Sequence, residues 1–354
     1  MDIVTHAVMG AAVAAAVASV RCRDEKLCLR LSRRRYPLRT ALAERRLAAG
    51  VGAAAGLLPD ADALIQSGGD ALLVLDYHRH FSHALAFVPF GALLAALLLW
   101  PFLRRRASFS SLYVYSFGAY LLHPLLDACT SYGTHLWLPF SQRKEAWNLI
   151  AVFDPLFTLL LAAPLFFFLR RPNSVAVRWS LMLGFAYFGL SYVQQQRVET
   201  AAVALAQARG HQPQQLSVKP SMANLVLWRS LYAHDGRVQV DAFHVGVKLR
   251  HYPGESAELL DAAAAQKLAA GDTRRLNDIE RFRIFSEGFI VHDAAGGLVG
   301  DARYAMQPTA VAPIWGIAWS GAGAATDFVS RHDFSPAMRG RFVAMLLGRD
   351  TSTN

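Results

Sequence analysis

Hydrophobic residues occur along the first part of the chain in long, nearly uninterrupted blocks. A helix needs about 20 apolar residues to cross the hydrocarbon core of a bilayer. Five blocks have spanning or near-spanning length, at residues 5–20, 84–103, 111–128, 149–169 and 175–193, and a sixth, at 47–58, is shorter and rich in alanine and glycine. Small residues let helices pack closely, so the short block either crosses while shielded by its neighbours or forms a re-entrant segment. The pattern predicts an α-helical polytopic membrane domain with about six membrane segments over residues 1–194.

From Gln195 onward, polar and apolar residues are mixed, and no block is long enough to span a membrane. Apolar stretches at 225–232 and 237–247 flank His234-Asp235-Gly236, which is typical of a β-hairpin. The same reasoning predicts a second hairpin from 282–292 and 298–306, and short helices at 199–208 and 257–270. We therefore expect a small α+β extramembrane domain over residues 195–354.

Basic residues cluster between the apolar blocks, at 33–35, 104–106 and 170–171. Two predicted crossings separate each cluster from the next, so all three can lie on the cytoplasmic side of the membrane. The loops at 59–83 and 129–147 and the C-terminal domain then fall on the outer side. The first block has no basic residue before it and many after it. That charge order is the reverse of a cleaved signal peptide, so we interpret the block as a retained helix.

Composition narrows the class of protein further. The net charge of +10 could indicate nucleic acid, but the basic residues stand beside apolar blocks, and 54% of the chain is hydrophobic. We therefore expect membrane lipids, and no nucleic acid, as partners. Cys22, Cys28 and Cys129 are too few and too scattered for a disulfide framework or a thiolate zinc site. The sequence has no Gly-x-Ser-x-Gly motif and no phosphate-binding glycine loop, which argues against serine hydrolase chemistry.

Candidate metal ligands gather on the predicted outer side of the membrane. They are His6, Asp60, Asp62, His78, His83, His123 and Asp127. Asp2 and His6 are four residues apart, as are His123 and Asp127, so each pair projects from one helix face and could bind one ion. Imidazole and carboxylate together suit zinc or another divalent metal, and several carboxylates would support a binuclear centre. Each residue alone could be a cap or a hydrogen-bonded surface group, but ionisable residues from several membrane segments favour a functional site.

Other polar residues leave alternatives open. Asp154, before Pro155, could be a ligand, an acceptor for a ligand or a helix cap. His80 and His135 could be extra ligands or surface residues. Arg79 could bind a phosphate oxygen through its planar guanidinium, or it could contact lipid head groups or pair with Asp76.

With these residues in this order, the sequence resembles the YdjM-like family of membrane-bound, metal-dependent hydrolases of the bacterial inner membrane. The resemblance rests on Thr5-His6, Pro59-Asp60-Ala61-Asp62, His78-Arg79, Ser82-His83, His123 with Asp127, and Thr130 to Gly133. His80 departs from the pattern, because that position is often a small residue. The C-terminal part, with Leu227-Trp228-Arg229, Arg281-Phe282-Arg283 and Trp315-Gly316-Ile317, looks like the extension of longer members. The histidine and aspartate pattern is similar to that of zinc-dependent phospholipase C, which implies phosphodiester hydrolysis at the membrane surface.

These observations predict a metal-dependent hydrolase whose seven ligands hold zinc or another divalent ion. Asp62 would be the general base, and Arg79 would stabilise charge on a phosphoryl group. A site at the outer interface would favour lipid head groups or lipid-linked phosphodiesters as substrates. The alternatives are a non-catalytic metal-binding membrane protein, an ion pathway, and an assembly factor that acts through the C-terminal domain. A transporter should carry polar residues at the bilayer midplane, and few are present.

Overall fold

The computed structural model describes residues 1–21, 41–170, 175–294, 297–321, 324–331 and 335–350. The chain divides into two compact units. The first comprises Met1–Leu64 and Tyr77–Ser191, and the second comprises Ile65–Asp76 and Tyr192–Asn354. The basic cluster at 33–35 lies outside the described residues, as do Cys22, Cys28 and Arg171.

The first unit is helical. Its helices are α1 (Ile3–Arg21), α2 (Ala41–Leu57), α4 (Val88–Leu103), α5 (Phe109–Ala128), α6 (Pro155–Arg170) and the first part of α7 (Val175–Ala208), while the short α3 (Leu73–Tyr77) lies at the boundary with the second unit. Three short 3₁₀ turns, Pro59–Leu64, Phe81–His83 and Leu85–Phe87, join α2 to α4 around the segment that folds with the second unit. Helices therefore form at all six apolar blocks, although their limits differ from those expected.

Three segments among the described residues are long and apolar enough to cross a membrane. They are Ile3–Val20, Leu42–Leu64 and Leu85–Leu103, and Pro155–Arg170 is a shorter apolar helix. A helical membrane protein is thus supported, whereas the prediction of about six spans is not confirmed. The helix at the block 149–169 is shorter than predicted, because it begins only at Pro155.

Helices α1 and α2 pack at backbone distance. A Cβ atom on Gly52 would lie 2.2 Å from the carbonyl oxygen of Gly10, and one on Gly56 would lie 3.1 Å from that of His6. Around this contact the core is built from buried alanines, which are Ala12, Ala14, Ala15, Ala18 and Ala48. The small residues of the short block therefore place the end of α2 directly beside the start of α1.

The second unit contains two antiparallel four-stranded sheets, each with its strands in sequence order. The first sheet consists of β1 (Gln215–Pro220), β2 (Leu227–His234), β3 (Arg237–Val245) and β4 (Leu249–Glu258), and the second of β5 (Ile290–Asp293), β6 (Leu298–Asp301), β7 (Trp315–Ala318) and β8 (Asp327–Ser330). Helices α8 (Ala262–Ala269), α9 (Thr273–Phe285) and α10 (Pro336–Leu346) complete it. The predicted hairpin at Asp235-Gly236 is present, and both turn residues have positive φ angles.

Three expectations for this part were wrong. Residues 199–208 are not a separate helix but the end of α7, which begins in the first unit and ends in the second. Residues 257 and 258 close β4, so the helix predicted at 257–270 is shorter. Phe282 lies in α9 rather than in a strand, and this helix was not foreseen.

Candidate metal centre

Three short pieces of the first unit supply five of the candidate ligands. Asp60 and Asp62 lie in the 3₁₀ turn Pro59–Leu64 that follows α2, and His83 ends the turn Phe81–His83. His123 and Asp127 lie one turn apart in the last part of α5. This arrangement confirms that residues distant in sequence are brought together, and it depends on the sharp turns at both ends of the segment between α2 and α4.

The centre of the cluster is formed by four side chains. His83 Nε2 lies 3.0 Å from His123 Nε2. Asp60 Oδ1 is 3.6 Å and 3.4 Å from these two nitrogens, and Asp127 Oδ2 is 3.3 Å and 3.7 Å from them. One ligand atom from each of the four residues lies within 4.8 Å of the other three. Two imidazoles and two carboxylates therefore converge on one point.

The contacts of the Nδ1 atoms of His83 and His123 determine which ring nitrogen of each histidine can bind a metal ion. His123 Nδ1 lies 2.6 Å from the carbonyl oxygen of Gly56, which can only accept, so Nδ1 carries the proton. His83 Nδ1 lies 2.9 Å from Ser82 Oγ and 3.1 Å from Asp62 Oδ2. Because Ser82 Oγ donates its own proton to Asp62, the proton between Ser82 and His83 lies on Nδ1. In the neutral rings both Nε2 atoms then carry lone pairs. Two lone pairs 3.0 Å apart, flanked by two carboxylates, require a cation between them.

A proton can serve as that cation when no metal is bound. Burial alone would lower the pKa of His83, but the carboxylates of Asp127, Asp60 and Asp62 outweigh burial and raise the pKa to about 10. The same excess of negative charge attracts a divalent ion, which would replace the proton. The donor set, nitrogen and carboxylate oxygen without thiolate, fits zinc and related metals.

A second group of potential ligand atoms adjoins the first and shares one residue with it. It consists of Asp60, Asp62 and His78. His78 Nδ1 lies 2.8 Å from Asp62 Oδ1, and the His78 side chain is 36% exposed. The side chain of Asp60 is 24% exposed, whereas those of His83, His123 and Asp127 are fully buried. The cluster therefore opens to its surroundings on the side of Asp60 and His78.

His6 lies beside the cluster but does not converge with it. Its Nε2 is 3.1 Å from Asp127 Oδ1, and its ring stacks on that of His123 with centroids 3.6 Å apart. It belongs to neither group of ligand atoms found among the described residues. The Met1 amino group contacts the same Asp127 oxygen. Of the seven predicted ligands, His6 is therefore the one that contacts a ligand, Asp127, without belonging to a group of ligand atoms itself.

Arg79 is buried against the cluster. Its Nε is 3.1 Å from Asp127 Oδ2, and its Nη1 donates to Thr130 Oγ1 at 2.9 Å. Its backbone N–H donates to Asp62 Oδ2 at 3.0 Å, and its φ angle is +62°. Left-handed backbone at a non-glycine residue is strained and is often found at functional sites. The acidic partner of Arg79 is Asp127, so the alternative that it pairs with Asp76 was wrong.

Two of the polar residues left open by the sequence, Asp2 and Asp154, have structural roles. Asp2 accepts from Thr5 N at 3.0 Å and from Thr5 Oγ1 at 2.6 Å, so it caps α1 rather than sharing an ion with His6. Asp154 accepts from Phe157 N at 3.0 Å and from Tyr187 Oη at 2.5 Å, which makes it the cap of α6. The hydroxyl of Tyr187 provides the partner that this buried carboxylate needs.

His80 and His135 contact one another at the edge of the site, with ring centroids 5.0 Å apart. Neither belongs to a group of ligand atoms in the described part of the chain. Burial and the nearby Lys144 lower the pKa of His135 to about 4, so its ring is neutral near pH 7.

Sequence reasoning missed the groups that orient the ligands. Ser82 Oγ donates to Asp62 Oδ2 at 2.5 Å and lies 2.9 Å from His83 Nδ1. The Gly56 carbonyl orients His123. Ser82 lies beside His83 in sequence, which was a usable signal, but a backbone carbonyl leaves no trace in the sequence.

The helical first unit with its buried histidine and aspartate cluster defines a class of membrane protein with a candidate metal centre. Residues 1–198 match the model of the YdjM inner membrane protein family, and the chain belongs to that family. It is also similar to the uncharacterized protein YfhP of Bacillus subtilis, at 32% identity over 97 residues, which is 27% of this chain and 29% of YfhP. No solved structure matches the chain.

Proposed function

We propose that this protein is a metal-dependent hydrolase of the inner membrane. The observation that carries the proposal is the meeting of two histidine lone pairs and two carboxylates at a buried point that opens on one side. A hydrolase needs both a bound ion and a free coordination position, and an opening lined by partly exposed ligands provides room for the latter.

The principal ion would be held by Asp60, His83, His123 and Asp127. A second would be held by Asp60, Asp62 and His78, so Asp60 would be shared by the two ions of a binuclear centre. Zinc is the metal that this mixture of nitrogen and oxygen donors suits best. A divalent ion at this position supplies Lewis acidity, which lowers the pKa of water and polarises a phosphoryl oxygen.

The contacts of Asp62 and Asp60 bear on which carboxylate could act as the general base. Asp62 Oδ2 accepts from Arg79 N and Ser82 Oγ and faces His83 Nδ1. With these contacts, Asp62 orients His83 more readily than it accepts a proton, although we predicted it as the general base from the sequence. The partly exposed Asp60 faces the opening, but because it is a ligand of both proposed ions it is not assigned the role of base either.

Arg79 is the proposed partner of a phosphate oxygen. Its hydrogen bond to Thr130 and its contact with Asp127 fix the guanidinium beside the ligands, so no rotation is needed when charge develops on a substrate. The guanidinium plane matches two oxygens of one phosphoryl group.

Lipid head groups or lipid-linked phosphodiesters are the proposed substrates, with the site on the periplasmic side. The loop after α5 carries exposed aromatic side chains at Trp137, Phe140 and Trp147. Such residues favour the interface between membrane and water, where these substrates present their phosphates.

A closed metal site that only stabilises the fold is the second candidate. The full burial of His83, His123 and Asp127 favours it, because structural sites exclude solvent. The partial exposure of Asp60 and His78 favours the hydrolase.

Metal content and turnover measured on the same purified protein distinguish the two candidates. The wild type should contain a divalent metal and hydrolyse at least one member of a panel of phospholipids and soluble phosphodiesters. Arg79→Ala should keep the metal and lose about 10²–10³ in rate, with partial rescue by Arg79→Lys. The matched control is Arg143→Ala, which alters an exposed arginine of the loop after α5. Full activity of Arg79→Ala would contradict the phosphate role, and bound metal without turnover on any of the panel would favour the structural site.

A further inference from the structure

The segment that joins the two parts of the candidate metal centre folds with the C-terminal unit. Asp60 and Asp62 come just before Ile65–Asp76, and His78 comes two residues after it. Yet Ile65–Asp76 groups with Tyr192–Asn354 rather than with the helices on either side. Asp62 and His78 thus flank a segment that packs with the C-terminal unit.

Arg281 of α9 is the polar anchor of this segment. Its Nη1 and Nη2 donate to the two carboxylate oxygens of Asp70 at 3.1 Å and 3.0 Å. Its Nε and Nη2 donate to Asp76 Oδ2 at 3.2 Å and 2.5 Å. Burial alone would raise the pKa of Asp70, but the hydrogen bonds from Arg281 hold it below its usual value. The Arg281 side chain therefore binds the segment at two points, Asp70 near its middle and Asp76 at its end.

Leu72 is the apolar anchor. It is 1% exposed and lies in a cluster of buried residues of the second unit that includes Ile279, Phe282 and Ile317. Arg274, also from α9, donates to the Gly69 carbonyl oxygen at 2.6 Å. Burial of this side chain among the apolar residues of that cluster stabilises the position of its backbone. The segment is therefore an integral part of the core of the second unit.

These contacts restrict the ligands through the covalent chain. Two residues separate Asp62 from the start of the segment, and one separates its end from His78, and a residue spans at most about 3.6 Å. Any displacement of Ile65–Asp76 is thus transmitted to Asp62 and His78, which hydrogen-bond to each other at 2.8 Å.

We propose that the C-terminal unit is a positioning element for the metal centre, and that Arg281 is its principal positioning residue. By holding Ile65–Asp76, Arg281 sets the spacing between Asp62 and His78. This inference rests on the proposed metal site, and it assigns a role to the C-terminal unit that does not require it to contact the substrate.

Hydrogen exchange and zinc affinity of the full-length purified protein test the inference. Arg281→Ala should accelerate amide exchange in residues 65–76 and also in 77–83, and should raise the dissociation constant for zinc about tenfold. Arg281→Lys should restore part of both effects. The control is Arg283→Ala on the same helix, whose partner Glu280 is also in α9, so it should behave as the wild type. Asp70→Asn removes one of the two ion pairs from the side of the segment, and it serves if Arg281→Ala disturbs the sheets.

Each result has a definite meaning. Faster exchange in 65–76 with unchanged exchange in 77–83 would overturn the coupling, and no change in either would overturn the anchor. A wild type that binds no zinc would contradict the proposed function, while the exchange comparison would still decide whether the C-terminal unit positions residues 77–83.

Discussion

At the scale of single residues, hydroxyl and carbonyl groups determine which nitrogen each histidine presents to the cluster. The Gly56 carbonyl directs His123, and the pair formed by Asp62 and Ser82 directs His83. Ligand orientation by such outer contacts commonly accounts for a large part of metal affinity. The types of the ligands could be predicted from the sequence, but their ranking could not. His6 is as plausible a ligand as His83 in sequence, but in the structure its ring stacks on that of His123 and it belongs to neither group of ligand atoms.

Ser82 offers the mildest test of this orientation. Ser82→Ala removes one hydrogen bond to Asp62 and leaves every ligand in place, so zinc affinity should fall about tenfold without loss of the folded protein. Competition with a chromophoric chelator measures the affinity. Ser116→Ala is the control, because Ser116 is equally buried in α5 and its hydroxyl has no hydrogen-bond partner among the described residues. Equal zinc affinities of the two variants would contradict a role of Ser82 in orienting the ligands.

At the scale of elements, close packing of α1 and α2 brings His6 and the end of α2 together. The composition of the short apolar block favoured such packing, and the contact of Gly10 with Gly52 agrees with that prediction. Other element limits could not be predicted. The block at 175–193 continues without a break to Ala208, because no glycine or proline occurs between Gly189 and Gly210. Helix α9 was missed because Phe282 and Ile284 suggested a strand, although Asp272 caps a helical segment.

Two glycines of α2 test the packing of the helices. Gly52→Ala would place a Cβ atom 2.2 Å from the Gly10 carbonyl oxygen, so the helices must move apart, at a cost of about 1–3 kcal/mol. Gly50→Ala meets no atom within 4 Å and should be neutral or stabilising by up to about 1 kcal/mol. Thermal unfolding of the purified protein in detergent should therefore show a lower midpoint for Gly52→Ala alone. Equal midpoints would contradict the close contact.

At the scale of the whole molecule, hydrolysis of periplasmic lipid substrates requires the ligand cluster to lie outside the cytoplasm, and the predicted topology puts the C-terminal unit there as well. The basic residues at 104–106 predict this orientation, and the three candidate spans are compatible with a membrane location without fixing its direction. The division of the chain into two units could be foreseen only in outline. The transfer of Ile65–Asp76 to the second unit depends on contacts of Asp70 and Asp76 with Arg281, which is remote in sequence.

Reporter fusions measure the orientation. A reporter after Asn354 should register as periplasmic, and one at Arg105 as cytoplasmic, because positively charged loops are retained inside. The two fusions control each other, since both must insert to give opposite signals. A cytoplasmic signal from the C-terminal fusion would place the cluster on the wrong side for periplasmic lipid substrates.

The most direct test of the central claim is the metal content of the purified protein after exposure to zinc and removal of excess ion, compared with that of His123→Ala and Asp60→Asn. If these residues form a metal centre, the wild type should hold at least one tightly bound zinc ion per chain, and both variants should show a clear loss. Asp60→Asn separates loss of a ligand from loss of the fold, because it changes a partly exposed side chain and should leave the helices folded. His292→Ala, which alters an exposed histidine of β5, should retain the wild-type content. A wild type without bound metal, or unchanged metal in both His123→Ala and Asp60→Asn, would contradict the claim that these residues form a metal centre.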